Sequence, residues 1–224
     1  MARKRFEDLL VSAHKGDAQA QFSVGFCYAN GDGVSKDPVE AVTWYSRAAE
    51  AGHTNAQFNL AICFKDGIGV KADFARTIML YRQAADGGFS AAQHNLARCY
   101  KAGRGVEADS IQAAMWFLRA AEQGQIESQV HIAYCYENGD GVTADMSRAV
   151  EWYRRAAEAG NRDAQYKVAL CYDTGLGVEA DPSQALKWYR MAAEAGHAFA
   201  QEMLLARSTG CYERMHAAMS KSKQ

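Results

Sequence analysis

The phrase CYANGDGV, beginning at Cys27, returns four more times at a spacing of 36 residues: CFKDGIGV from Cys63, CYKAGRGV from Cys99, CYENGDGV from Cys135 and CYDTGLGV from Cys171. Ten residues after each valine comes an aromatic pair or its variant: Trp44-Tyr45, Leu80-Tyr81, Trp116-Phe117, Trp152-Tyr153 and Trp188-Tyr189. Each pair leads through Ala-Ala and an acid to a glycine, Gly52, Gly88, Gly124, Gly160 or Gly196, all in phase with Gly16. A period of this length limits the fold severely. One unit cannot bury its own apolar face, so successive units must stack on one another.

Within a unit the apolar spacing is that of a helix. Ala20, Val24, Cys27 and Tyr28 recur at i, i+4, i+7 and i+8 and fall on one stripe of a first helix, A. Gly31 and Gly33 end it, because helix C-termini often need the positive φ that glycine accepts. A second helix, B, starts at Asp37 and its equivalents Asp73, Asp109, Asp145 and Asp181, whose carboxylates suit free N–H groups. Pro38 and Pro182 take the first helical position, where a missing N–H is harmless. Ala41, Trp44, Tyr45, Ala48 and Ala49 form the buried face of helix B, and the tryptophans are core packing. The expected organisation is a capping helix over 1–15 and five repeats, 16–51, 52–87, 88–123, 124–159 and 160–196. Residues 197–224 would hold a partial sixth repeat, a capping helix with Tyr212, Met215 and Met219 inward, and a solvated tail from Ser220. With 49% hydrophobic residues in 224, there is ample material for a core.

The pattern A-Q-x-x-L-A-x-C-Y-x-x-G-x-G-V-x-x-D followed by A-x-x-W-Y-x-x-A-A-E-x-G is similar to the Sel-one-like repeat (SLR), a relative of the tetratricopeptide repeat, from about Gly16 to Gln201. That resemblance implies an all-α, right-handed α-α solenoid of helix-turn-helix repeats that assembles proteins into complexes, with no common catalytic residues. A cysteine-rich branch of the family, for which penicillin-binding activity is reported, carries paired cysteines in each repeat. Here each cysteine is alone in its repeat, which points away from that hydrolase-like alternative.

The repeated phrase itself offers little chemistry. Metal sites want ligands at short spacing such as C-x-x-C, which these cysteines lack. Helices stacked about 8–10 Å apart also hold equivalent cysteines beyond the reach of a disulfide, so buried, unpaired thiols are expected. The glycine loop follows a helix C-terminus, whose dipole repels anions, and it lacks the G-K-[ST] ending of a P-loop. A calcium loop would need a glutamate at its twelfth position, which is missing. No metal and no cofactor are expected. Lys plus Arg total 25 against 26 Asp plus Glu, so no net field favours nucleic acid. The run Leu9-Leu10-Val11 is far short of a leader core, and no stretch approaches the ~20 apolar residues of a membrane span. A cytoplasmic protein with no membrane insertion is the expectation.

Comparing the five copies separates scaffold from candidate site. Gln21, Gln57, Gln93, Gln129, Gln165 and Gln201 recur at the edge of the core, where each is expected to bond a neighbouring helix end, since an unpaired buried amide costs ~1–3 kcal/mol. Other helix A positions vary. By analogy with tetratricopeptide-like solenoids, helix A lines the concave groove, and the varying positions form ladders there. One ladder holds Ser23, Asn59, Asn95, His131 and Lys167; a second, Phe26, Ile62, Arg98, Tyr134 and Leu170; a third, Phe22, Phe58, His94, Val130 and Tyr166. Amides to meet backbone groups, aromatic anchors, and Arg98 or Lys167 for an acidic group suit an extended peptide or protein segment. His94 and His131, with Arg98 or Glu127 near, are the weak metal or catalytic alternative, and without a fixed third ligand the chain is expected not to be an enzyme. A monomer is expected, or weak self-association through an incompletely capped end. Titration of denatured, unreduced protein should find six free thiols; fewer than about five would contradict a disulfide-free chain.

Overall fold

A computed structural model describes residues 2–208. Among the described residues the regular elements are twelve α-helices, so the all-α class holds. The chain divides between Gln123 and Gly124 into two compact units. The first contains α1 (Ala2–His14), α2 (Ala18–Asn30), α3 (Pro38–Glu50), α4 (Thr54–Asp66), α5 (Phe74–Asp86), α6 (Ser90–Ala102) and α7 (Ser110–Glu122). The second contains α8 (Ile126–Asn138), α9 (Met146–Glu158), α10 (Arg162–Thr174), α11 (Pro182–Glu194) and α12 (Ala198–Ser208). Within each unit successive helices pack as antiparallel hairpins, α2 with α3 or α8 with α9, and each hairpin packs on the next. Cys211, Tyr212, Met215, Met219 and the tail from Ser220 lie outside the described residues.

The boundaries follow from local chemistry. Asp37, Asp73, Asp109, Asp145 and Asp181 accept backbone N–H groups of the first turn of α3, α5, α7, α9 and α11. The A helices have their own caps, which the repeat pattern did not reveal. Asp17, His53, Gln125, Asn161 and His197 accept from a first-turn N–H, whereas Phe89 has no such bond. Each A helix of the five repeats ends in a left-handed glycine, as at Gly31, whose N–H donates to the Cys27 carbonyl at 2.7 Å. The turn then closes when the Asp37 N–H donates to the Tyr28 carbonyl, a bond repeated from Asp73 to Phe64 and from Asp109 to Tyr100.

The tie between hairpins is the expected glutamine. In the first unit the side-chain amides of Gln21, Gln57 and Gln93 donate to the carbonyls of Ala13, Ala49 and Ala85 at 3.1–3.3 Å. In the second unit Gln165 donates to Ala157 and Gln201 to Ala193. Helix α1 makes the same contact through Ala13 as a B helix would, which fits its register. Phe6 and Ala13 of α1 are buried with Val24 and Trp44, and Val34 packs against that cluster. Trp44, Trp116 and Trp152 are buried beneath Arg47, Arg119 and Arg155, whose guanidinium carbons lie 4.5, 4.7 and 4.3 Å from the ring centroids.

At Gly33, Gly69, Gly105 and Gly177 the second glycine of the loop has a stricter role than reversing the chain. A Cβ at Gly69 would lie 2.1 Å from the Pro38 carbonyl oxygen, at the start of the preceding B helix, and φ there is +69°. At Gly67, φ is +70° but the nearest atom would be 3.6 Å away. The first position therefore needs only left-handed backbone, while the second also needs space. Gly67→Ala should cost about 1–2 kcal/mol and Gly69→Ala at least twice that, measured by urea unfolding; equal costs would contradict the close approach.

Candidate partner-binding face

In the first unit the varying positions of α2, α4 and α6 line three cavities. The first, about 500 Å³ between α1 and α2, is bounded by Phe6, Leu9, Phe22 and Phe26. The second, about 280 Å³ between α2 and α4, is bounded by Phe26, Tyr45, Asn59 and Ile62. The third, about 340 Å³, carries Asn95 and Arg98 of α6 against Lys65 of α4 and Phe74 and Tyr81 of α5. Phe26 is 46% exposed and borders two of these cavities. The structure thus brings Phe26, Asn59 and Ile62 together, and Asn95 with Arg98.

The third ladder departs from the groove expectation. The Phe22 ring stacks on His53 at 4.7 Å and also meets Tyr45, although it still borders the α1–α2 cavity. Phe58 packs on Tyr81 and edge-on to Phe89. His94 is only 9% exposed, edge-on to Phe117, so it is a packing residue and not an offered one. In the second unit Tyr166 stacks on His197 at 4.4 Å. This position wedges helix A between the helix B ring and the residue that caps the next A helix. Its aromatic character therefore has a structural cause.

The second unit offers Tyr134, 44% exposed, with His131 and Leu170 half-buried. Lys167 is not available for a partner's acid as expected. Its ammonium sits 2.9 and 3.0 Å from the two Glu137 carboxylate oxygens, and the Tyr153 hydroxyl donates to the same carboxylate at 2.6 Å. Burial raises the Glu137 pKa, but the hydrogen bonds from Lys167 and Tyr153 outweigh it and hold the group below its usual 4.5. His131 belongs to the second unit and His94 to the first. No group of three or more His, Cys, Asp or Glu side chains placed to hold a metal occurs among the described residues.

Among the described residues no disulfide joins the cysteines, and of the five only Cys63, Cys135 and Cys171 are buried. Cys27 and Cys99 are half-buried because each borders one of the cavities. Burial raises the Cys171 thiol to about 11, reinforced by Glu137, so it is not a nucleophile near neutrality. Sequence comparison overlooked the slot of Lys65, Lys101, Glu137 and Asp173. Its change from base to acid is visible between copies, but the meaning depends on the tyrosine hydroxyl that faces it.

The Sel1 repeat profile matches five consecutive segments, residues 18–53, 54–89, 90–125, 126–161 and 162–197. The chain belongs to the Sel1-repeat family. The matched segments start two residues later than the boundaries read from the glycines, a difference of phase and not of period. Among solved Sel1-type structures, the chain is similar to a protective antigen present in uropathogenic Escherichia coli strains that displays an SLR fold. Identity is 39% over 88% of this chain and 42% of that one, with a TM-score of 0.83. A Sel1 repeat protein from Oxalobacter formigenes is 32% identical over 92% of this chain and 82% of that one, with a TM-score of 0.78. The chain therefore spans well under half the length of the first relative and most of the second. No curated protein matches it. The α-α solenoid class is thus shown by family and neighbours together. No described helix is long and apolar enough to cross a membrane.

The Glu137 site sets a pH-dependent contribution. A carboxylate with a lowered folded pKa stabilises above its unfolded value, and the contribution is lost as pH falls through the folded value. Glu137→Gln should cost about 1 kcal/mol at pH 7. The gap to wild type should close below about pH 4 in thermal unfolding series; a gap that persists there would contradict the charge assignment.

Proposed function

We propose that the chain is a non-catalytic interaction module that binds an extended segment of a partner protein through the varying face of its A helices. The observation that carries this reading is Phe26, an aromatic side chain nearly half exposed between two cavities, with Ile62 beside it. The ring keeps a tilted contact with Phe22 at 6.4 Å yet stays nearly half exposed, and aromatic anchors beside pockets dominate interface energies. Tyr134 offers a comparable anchor in the second unit. The neighbouring amides of Asn59 and Asn95 suit the backbone of an extended segment. The Sel1-repeat assignment supports a scaffold role. A reducing compartment such as the cytoplasm suits cysteines that form no disulfide among the described residues.

The double variant Phe26→Ser with Ile62→Ser tests this. A photo-crosslinking residue at position 62 in otherwise native protein should capture a partner segment, and the double variant should lose that partner in pull-down with helicity and melting nearly unchanged. Binding retained at wild-type strength would move the interface to the B-helix face. Light scattering on the same samples separates partner capture from self-association.

A further inference from the structure

The helix B tyrosines occupy one position of the repeat, yet their hydroxyls are treated differently from copy to copy. Tyr153 donates to Glu137 at 2.6 Å, and Tyr189 donates to Asp173 at 3.3 Å. Each acid stands near the end of the A helix before that tyrosine and also holds a cation from the A helix after it, Lys167 in one case and Arg207 in the other. In the first unit the Tyr45 hydroxyl is bonded by Asn59, and Phe117 has no hydroxyl to satisfy. Tyr81 stands apart. It is 1% exposed, and its hydroxyl has no partner among the described residues. At the position that carries Glu137 and Asp173, this repeat carries Lys65.

Tyr81 forms part of the wall of the 340 Å³ cavity, together with Lys65, Asp66, Asn95, Arg98 and Arg104. Lys65 lies 3.4 Å from Asp66, its neighbour in the chain, with both side chains well exposed. Arg98 and Arg104 form no ion pair among the described residues. Three cations thus line the cavity whose wall includes this tyrosine, with one exposed carboxylate to balance them. Phe74, 44% exposed, adds an apolar wall.

We propose that this cavity binds an aspartate or glutamate side chain of the partner segment, the ligand supplying the carboxylate that Glu137 supplies two repeats later. One carboxylate oxygen accepts from the Tyr81 hydroxyl, and the other faces Lys65 and Arg98. The internal template is a carboxylate held by one hydroxyl and one ammonium, which favours this group over a phosphate. The inference rests on the interaction reading above only for the source of the carboxylate.

The probe is N-acetylglutamate amide, titrated into the full chain while the Asn95 side-chain amide and Arg98 Nε–H resonances are followed by NMR. Saturable shifts are expected, absent with N-acetylglutamine amide, and binding should weaken at least about fivefold in Tyr81→Phe and in Arg98→Gln. An equal response to the glutamine derivative, tighter binding of inorganic phosphate, or wild-type affinity in both variants would overturn the assignment. Lys65→Glu provides an arm that cannot be confused with misfolding. By restoring the internal acid it should raise the melting midpoint by about 2–4 °C and abolish probe binding. A lowered midpoint with probe binding retained would refute the proposal. The assay contains no partner, so its failure leaves the result for the Phe26 and Ile62 variant standing, and the reverse also holds.

Discussion

The carbonyl that ends a B helix already accepts from the loop glycine, as Ala49 does from the Gly52 N–H at 3.0 Å, and the glutamine of the following A helix adds a second donor to it. Gln57 reaches back to the Ala49 carbonyl from the second turn of α4, at the point where two hairpins meet. A bond of this type is worth about 1 kcal/mol net, but leaving the buried amide unpaired would cost more. It therefore acts mainly against wrong registers. A slip of one residue along α4 would strand the amide. Repetition at Gln21, Gln93, Gln165 and Gln201 makes register a property of each junction within its unit.

The glycine loops complete that specification from the other end of the hairpin. Gly69 lies so close to the Pro38 carbonyl that no side chain fits, and Gly105 stands in the same relation to Phe74, where a Cβ would lie 2.8 Å from the carbonyl oxygen. With the glutamine at one end of the junction and the glycine at the other, the helices between them have little freedom to slide. Alanines such as Ala48, Ala84 and Ala120, all with no exposed surface, let the helices approach without voids. The residues that recur are thus those that set distance and register. The varying slots can change without altering that distance and register.

Much of this was legible because a repeat offers several copies of one environment. The N-cap aspartates, the proline starts, the loop glycines and the glutamine tie all follow from single-residue chemistry, and copy-to-copy agreement separates them from chance. The face of helix A was harder. Phe22, His94 and Tyr166 have the helical phase of a groove residue, yet His94 is buried and Tyr166 stacks on His197. The phase of a residue on one helix does not say how far a neighbouring ring reaches, and the rings that cover this slot come from helix B and the next cap. Lys167 failed for a related reason. Its partner Glu137 lies 30 residues earlier, a separation that no pattern within one helix reveals.

The slot shared by Lys65, Glu137 and Asp173 shows how a repeat protein can turn a structural interaction into a recognition element with few substitutions. Where an acid occupies it, the tyrosine hydroxyl and a neighbouring cation are satisfied internally, and the A helices are tied across a charged bond. Where lysine replaces the acid, the hydroxyl remains buried without a partner and three cations line the adjoining cavity. A buried hydroxyl without a partner costs about 1–3 kcal/mol, and that cost is recovered when an acceptor enters. The scaffold tolerates the loss because the glutamine tie and the glycine approach fix the junction independently of this slot. The register of the stack thus rests on positions that recur in the 36 residues, which leaves this slot free to vary.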